Sequence, residues 1–269
     1  MRRNWMFWGG VVFLSLLVLF AVFGPYMRHA WNAPVGTARM GPSADFWLGT
    51  DEQGRDVFAR LAYGARLSLT IGITVQIIAV VVGVIVGVLG VYGPRWVSSP
   101  LMRLTDGMFA FPDLLLAIML VGLFGMGIKP IVASLAIAAW PSVARLVRTQ
   151  VASLKDREFV VAAQAMGAST PYLVVKHILP HLAGVLMAVM MVDVAATILS
   201  ESTLSFLGIG VQLPEASWGS MIQTGNSYKQ NQPLLLLWPC LMLSLTVFAL
   251  NFVGDGLRAM TDPKGSETR

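Results

Sequence analysis

Residues 158–180 read EFVVAAQAMGASTPYLVVKHILP, a compact, helix-forming stretch set between long apolar runs. From Glu158 to Met166 good helix formers dominate, and Phe159, Ala162, Ala163 and Met166 recur at three- to four-residue spacing, which predicts a short amphipathic helix. Gly167 falls where a glycine would end that helix. Ser169 or Thr170, followed by Pro171, can open a second one. The expected shape is helix, tight turn, helix, with Ala162, Ala163 and Gly167 leaving a surface that another protein can approach closely. Lys176, His177, Leu179 and Pro180 then lead back toward the next apolar run. Such a segment is either an ordinary loop packed on its own protein or a docking element.

The rest of the chain decides what kind of loop this is. Of 269 residues 56% are apolar and 12% charged, a composition that belongs in a bilayer. The net charge of +5 therefore marks loops and lipid headgroup contacts rather than nucleic acid, for which no stacking module is present. The single cysteine, Cys240, lies in an apolar run and reads as a packed side chain, so no disulfide framework or multi-cysteine metal site is expected.

Six spans are expected, at residues 5–24, 67–92, 106–128, 131–148, 184–208 and 234–253. The first follows Arg2-Arg3. It is longer than a signal peptide's apolar region, and no small-x-small cleavage site follows it before Arg28, so it reads as an uncleaved anchor. Residues 25–66 read as an extramembrane loop containing LGTDEQGRDVFARLAYGAR, in which Asp56 and Arg60 stand at helical pairing distance. That pairing is either a solvated surface feature or part of a surface that receives a soluble partner. Gly83 and Gly87 form a GxxxG pair in the second span, open to packing within the chain or against a partner. Phe111-Pro112-Asp113 stands near the start of the third span, and Lys129-Pro130 is expected to make the tight turn into the fourth. Residues 209–233 read as a polar loop.

The fifth span carries the most unusual polar content. Asp193, Thr197, Glu201 and Ser205 fall at successive fourth positions and share one broad helix face. Ionisable groups at membrane depth are costly and face a cavity or a partner. This face either makes interhelical hydrogen bonds or lines a solute pathway suited to a cationic group.

With both termini inside, Arg2, Arg3, Arg95, Arg103, Arg145, Arg148, Lys155, Arg157, Lys176, Arg258, Lys264 and Arg269 are internal, the larger share of the 19 Lys and Arg. The positive-inside rule thus places residues 158–180 in the cytoplasm. The chain has no G-x-x-x-x-G-K-[ST] phosphate loop, no HExxH and no GxSxG elbow, and His177 with His181 straddles Pro180 as a poor metal pair. No catalytic residue, bound cofactor or metal is expected.

Ala162-Ala163, three residues, Gly167, then Leu179-Pro180 resembles the EAA loop of ABC importer permeases. Val161 replaces a common acid there, and His177 a common aliphatic residue; both departures suit the dipeptide, oligopeptide and nickel branch. Residues 49–69 resemble that branch's GTDxxGRDxxSRLxxGxRxSL signature through Asp51, Gly54, Arg55 and Asp56, with Ala59 at the usual serine. LSFLGIGVQLPEASWG from Leu204 resembles its LSFLGLGVQPPxPxWG, with Leu213 at a usual proline, and NFVGDGLRAMTDP resembles its closing FNLLGDGLRDxLDP, with Ala259 at an often acidic position. The resemblance implies an all-α polytopic protein of the type I importer permease fold. Residues 1–66 would form an N-terminal helix and periplasmic loop, and 67–255 a five-helix core with its coupling loop at 150–183; residues 256–269 would form a cytoplasmic tail. It implies the second, C-type permease subunit in a bacterial inner membrane, half of a pathway for di- or oligopeptides. Partners would be a homologous permease subunit, two ABC ATPase subunits or domains carrying ATP and Mg, and an extracytoplasmic solute-binding protein. Glu158, Ala162, Ala163, Gly167, His177, Leu179 and Pro180 would couple to the ATPases. Nickel or metallophore cargo is the alternative; a secondary transporter or channel would leave the 158–180 loop without a task, and a membrane-embedded enzyme would need a catalytic constellation that the sequence lacks.

Overall fold

The computed structural model describes residues 5–261. Arg2, Arg3, Lys264 and Arg269 of the charge pattern, and the Asp262-Pro263 end of the closing motif, lie outside the described residues. Ten α-helices follow in order: α1 Trp5–Phe23, α2 Val57–Tyr92, α3 Arg95–Met108, α4 Asp113–Phe124, α5 Ile128–Leu154, α6 Glu158–Ala165, α7 Thr170–Leu173, α8 Leu179–Phe206, α9 Trp218–Ser227 and α10 Pro233–Thr261. Among the described residues the only β pairing is an isolated bridge between Thr50 and Asp56. Among the described residues five helical runs are long and apolar enough to cross a membrane, and six if the bent pair α3 and α4 counts as one.

The third span departs from the expected 106–128. Residues 106–108 end α3, and α4 starts only at Asp113, bent from α3 by 97°. Pro112 has no N–H to donate into a helix and disfavours helical backbone at Phe111, so the chain turns there. With 12 residues α4 rises only about 18 Å, short of the roughly 30 Å hydrocarbon core. The tight turn is also displaced: Gly125 and Gly127, at φ +92° and +125°, make it, whereas Lys129 and Pro130 sit in the first turn of α5, where a missing N–H costs nothing.

α2 begins at Val57, ten residues before its expected start and inside what reads as loop. Asp56 is the reason: its Oδ1 accepts from Phe58 N at 2.8 Å and Ala59 N at 3.4 Å, an N-cap worth about 1 kcal/mol. At 36 residues, roughly 54 Å, α2 is longer than the hydrocarbon core is thick. Its glycine pair serves packing within the chain. A Cβ on Gly83 would meet Val143 and Ala144, and one on Gly87 would meet Val147, so α2 and α5 run parallel in close contact. Ser68–Glu201 and Gln76–Thr197 contacts make α2 and α8 antiparallel, and Phe7 against Gly256 with Gly10 against Ala249 does the same for α1 and α10. One end of the bundle therefore holds Tyr92, α3, Leu154 and residues 158–180; the other holds residues 25–56 and α9.

Residues 209–233, expected as loop, contain α9. Ser217 and Ser220 form a reciprocal capping box, and the fully buried Trp218 donates from Nε1 to the Leu61 carbonyl at 3.2 Å, fastening α9 to α2. The core here joins Leu61, Ala65, Val194, Ile198, Trp218 and Leu250.

Candidate functional site

At the end that holds Tyr92 and Leu154, α6 forms where the residue pattern places it, but on a different face. Val160 and Ala163 are the buried pair; Phe159, Val161, Ala162 and Met166 are exposed, Met166 to 83%. Val160 and Ala163 pack with Val147, Val151, Leu173 and Ile178, anchoring the loop on the ends of α2 and α5. Gly167 has φ +84°, and Ala168 N donates to Ala163 O at 3.1 Å, the closure expected of a glycine-terminated helix. A Cβ at Gly167 would meet nothing within 4 Å, so within this chain the glycine answers to its backbone angle alone. Glu158 is exposed at the first turn of α6, where its charge suits the helix N-terminus.

The second half of the loop is not a separate helix. From Thr170 the chain runs as one helical stretch to Phe206, through a π turn at Val174–Ile178 that includes Lys176 and His177. Pro180 explains the π turn: its ring would collide with the carbonyl four residues back, and widening the helix relieves that contact. Leu179 is half-buried and Pro180 exposed. His181 Nδ1 lies 2.8 Å from the His177 carbonyl, and its ring stacks on Phe159 at 4.8 Å, which ties α6 to α8. Among the described residues no group of three or more His, Cys, Asp or Glu could hold a metal ion.

Midway along α8 the shared face of Asp193, Thr197, Glu201 and Ser205 divides. Asp193 and Thr197 border a cleft of about 120 Å³ together with Gln76, Asp113, Ser142 and Ser200. Gln76 Nε2 donates to Thr197 Oγ1 at 2.7 Å and to the Asp193 carbonyl at 3.2 Å, leaving Gln76 Oε1 buried without a partner. The cleft thus offers two carboxylates and an amide oxygen, with no basic side chain in its lining.

Glu201 and Ser205 lie elsewhere. Glu201 is fully buried, and its carboxylate accepts from Ser205 Oγ at 2.7 Å, Ser68 Oγ at 3.3 Å and Ser202 Oγ at 3.4 Å. Ser205 Oγ in turn accepts from Val211 N at 3.1 Å. These contacts bind α2, α8 and the following loop, and they remove Glu201 and Ser205 from the cleft lining expected of all four residues. Fourth-position spacing drifts about 40° per step round a helix of 3.6 residues per turn, so the ends of the series face different neighbours.

The motif at residues 49–69 is neither a solvated pair nor an open surface. Asp51, Arg55, Asp56 and Arg60 are all buried. Asp51 Oδ2 holds Arg55 Nε at 2.7 Å and Arg60 Nε at 3.3 Å, while its Oδ1 accepts from the backbone of Gln53 and Arg55. Arg60 therefore pairs with Asp51, not with Asp56, whose Oδ2 meets His29 Nδ1 at 2.8 Å. Gly54, at φ +77°, lies against the Gly36 carbonyl where no side chain fits, and its own carbonyl accepts from Val35 and Gly36. Tyr63 donates to Glu215 and stacks on Trp31 at 3.6 Å, closing this end over α2.

Sequence reasoning passed over Gln76, Ser142 and Ser200 and gave Asp113 no role. Gln76 carried a signal, a lone amide inside an otherwise apolar span. The bend at Pro112 that brings Asp113 to the cleft carried none before the packing was known.

A bundle of apolar spans around a polar cleft, with an exposed helical loop continuous with a cleft-bearing span, defines a subunit of a membrane transport system. Residues 79–266 match the family described as binding-protein-dependent transport system inner membrane component, and the chain belongs to it. It is a permease subunit of that importer class. It is 38% identical to the dipeptide transport system permease protein DppC of Bacillus subtilis, over 98% of this chain and 83% of the relative. It is 40% identical to the oligopeptide transport system permease protein OppC of Escherichia coli K12, over 94% of this chain and 85% of the relative. A solved inward-facing structure of the MetNI methionine ABC transporter matches with a TM-score of 0.62 at 18% identity, over 75% of this chain and 96% of that one, and shows the shared fold.

Proposed function

We propose that this chain forms half of an import pathway for peptides across a bacterial cytoplasmic membrane, with both termini inside and residues 158–180 seated on a separate ATPase. The observation that carries this reading is the uninterrupted helical run from Thr170 to Phe206. The same rigid element begins in the exposed loop and bears Asp193 and Thr197 at the cleft, so a push on the loop moves the cleft wall. Closure of an ATPase pair would tilt α8 and switch the pathway between inward and outward access by rigid-body motion. Glu158, Ala162 and Gly167 supply the exposed surface for that seat, Ala163 anchors it from beneath, and His177, Leu179 and Pro180 form the stiff joint. ATP and Mg belong to the ATPases. A second, homologous permease completes the pathway, and a soluble receptor delivers cargo to the outer end, where the buried Asp51–Asp56 turn keeps the loops in shape.

The similarity to dipeptide and oligopeptide permeases supports peptide cargo, and so does the chemistry of the cleft. Two carboxylates, an amide oxygen and hydroxyls without a basic group suit a cargo bearing an ammonium.

The test is to co-express the chain with its genomic neighbours, purify through a tag on it, and measure ATP hydrolysis with and without receptor loaded with a dipeptide. Co-purification of a second permease and ATPases, with hydrolysis stimulated by loaded receptor, is the expected result. A chain that purifies alone and moves solute in vesicles without ATP would overturn the proposal.

A further inference from the structure

At the inner end, on the side of α5 away from the cleft, lies a recess of about 750 Å³ bordered by Arg95, Ser99 and Arg103 of α3, Arg148 of α5 and Gly90 of α2. Three features give it a chemistry. Arg95, Arg103 and Arg148 form no ion pair among the described residues. The carboxylate that lines the recess, Asp106, is already engaged by Arg145 at 2.8 Å, whose guanidinium also lies over Phe109 at 3.8 Å, so it leaves the three arginines in excess. The recess therefore carries uncompensated positive charge.

Its setting is interfacial. α3 lies at 97° to the short α4, across the direction of the spans, and buries Met102 and Thr105 while Trp96 stands 80% exposed. A helix lying flat, with arginines and an exposed tryptophan, has the form of an element at the headgroup level of a bilayer. An exposed apolar stripe leads to the same place: Ile78, Val81, Ile85 and Leu89 recur at three- and four-residue spacing along α2 and end beside Gly90, which lines the recess.

We infer that this recess binds the phosphodiester headgroup of an anionic membrane phospholipid, with an acyl chain lying along the Ile78–Leu89 stripe. Arginine matches phosphate oxygens through its fork of N–H donors, and Ser99 adds a hydroxyl. The stripe is what selects a lipid over free phosphate. The site adjoins α5 and the seat of α6, so an occupied recess holds α3 against the base of the loop. This inference is independent of which cargo is carried.

The test uses the complex that co-purifies with this chain, delipidated in mild detergent and titrated with tetraoleoyl cardiolipin or dioleoylphosphatidylcholine, with bound lipid read by native mass spectrometry. Cardiolipin should bind and phosphatidylcholine should not. At about fivefold per arginine, Arg103→Gln should weaken binding measurably and the Arg95→Gln, Arg103→Gln, Arg148→Gln triple variant roughly a hundredfold. Arg66→Gln, at the opposite end of α2, should bind as the parent does. The exposed Arg103 supplies the readout if the triple variant does not assemble. Equal cardiolipin binding by parent and Arg103→Gln would overturn the inference. So would displacement of the lipid by excess inorganic phosphate, or equal binding of short-chain dihexanoyl phosphatidylglycerol, since either removes the acyl stripe from recognition. Loss of a co-purifying subunit from lipid-free Arg103→Gln, with cardiolipin binding intact, would make the recess a protein interface instead.

Discussion

Asp193 and Glu201 are two acidic residues two helical turns apart on α8, and they meet opposite fates. Glu201 is sealed, with three serine hydroxyls donating to it and a backbone N–H completing the contacts through Ser205. Asp193 stands at the rim of a cleft, and its carboxylate makes no hydrogen bond or ion pair among the described residues. The same contrast holds between the ends of the molecule. The end holding residues 25–56 is tied by buried ion pairs around Asp51, while the end holding residues 158–180 leaves Val161, Ala162, Met166 and three arginines open. Satisfied polar groups hold a fold; unsatisfied ones in a cleft or on an exposed helix wait for something else.

The largest effect should come from the end that holds residues 25–56. Asp51→Ala leaves Arg60, buried at 5% side-chain exposure, without its carboxylate, and Arg55, buried at 4%, with Glu52 at 3.2 Å alone. Breaking a buried pair in this way costs about 3–5 kcal/mol, so membrane yield and the thermal midpoint of the purified complex should fall sharply. An unchanged midpoint would show the outer turn to be less closed than its geometry. Next is Glu201→Ala, which strips three buried hydroxyls of their acceptor and should destabilise by about 2–3 kcal/mol, whereas Glu201→Gln keeps a carbonyl acceptor and should lose roughly 1 kcal/mol. Transport per folded complex should survive in Glu201→Gln; a selective loss of uptake there would return Glu201 to the pathway.

Asp193→Asn should do the reverse. Stability should hold to within about 0.5 kcal/mol, while uptake of a peptide with a free amino terminus falls about tenfold and an N-acetylated one much less. Equal uptake of both by the variant and the parent would remove the cleft from cargo recognition. Substitutions at Gly167 should also disturb folding little. Asn and Asp both tolerate positive φ better than other side chains, and nothing in this chain lies within 4 Å of the added Cβ, so each should cost at most about 1 kcal/mol. Gly167→Asp should nonetheless impair ATP-coupled uptake more than Gly167→Asn, because only the partner surface would meet the charge. Equal coupling in the two variants would mean that no partner approaches there.

Much of this was legible before the packing was known. Apolar runs of span length, the Gly167 turn and the order of motifs all depend on neighbours within a few residues, where periodicity and turn chemistry act directly. The third span was misplaced because its length depends on how Pro112 turns the chain, and the buried face of α6 was misjudged because it depends on Val147, Val151, Leu173 and Ile178. Arg60 was paired with the wrong acid for the same reason: the helix spacing was right, but Asp56 was already engaged as a cap and by His29.

By itself, then, the sequence determined a membrane-spanning helical protein of a recognisable transport family with a glycine-terminated helical loop at one end, because span length, hydropathy and motif spacing are properties of the chain taken in order. Only the tertiary structure decided that Glu201 is sealed while Asp193 is open, that Gln76 and Asp113 join the cleft, and that Arg95, Arg103 and Arg148 converge. Those outcomes turn on which residues distant in sequence arrive beside one another, and on whether a polar group finds its partner when they do.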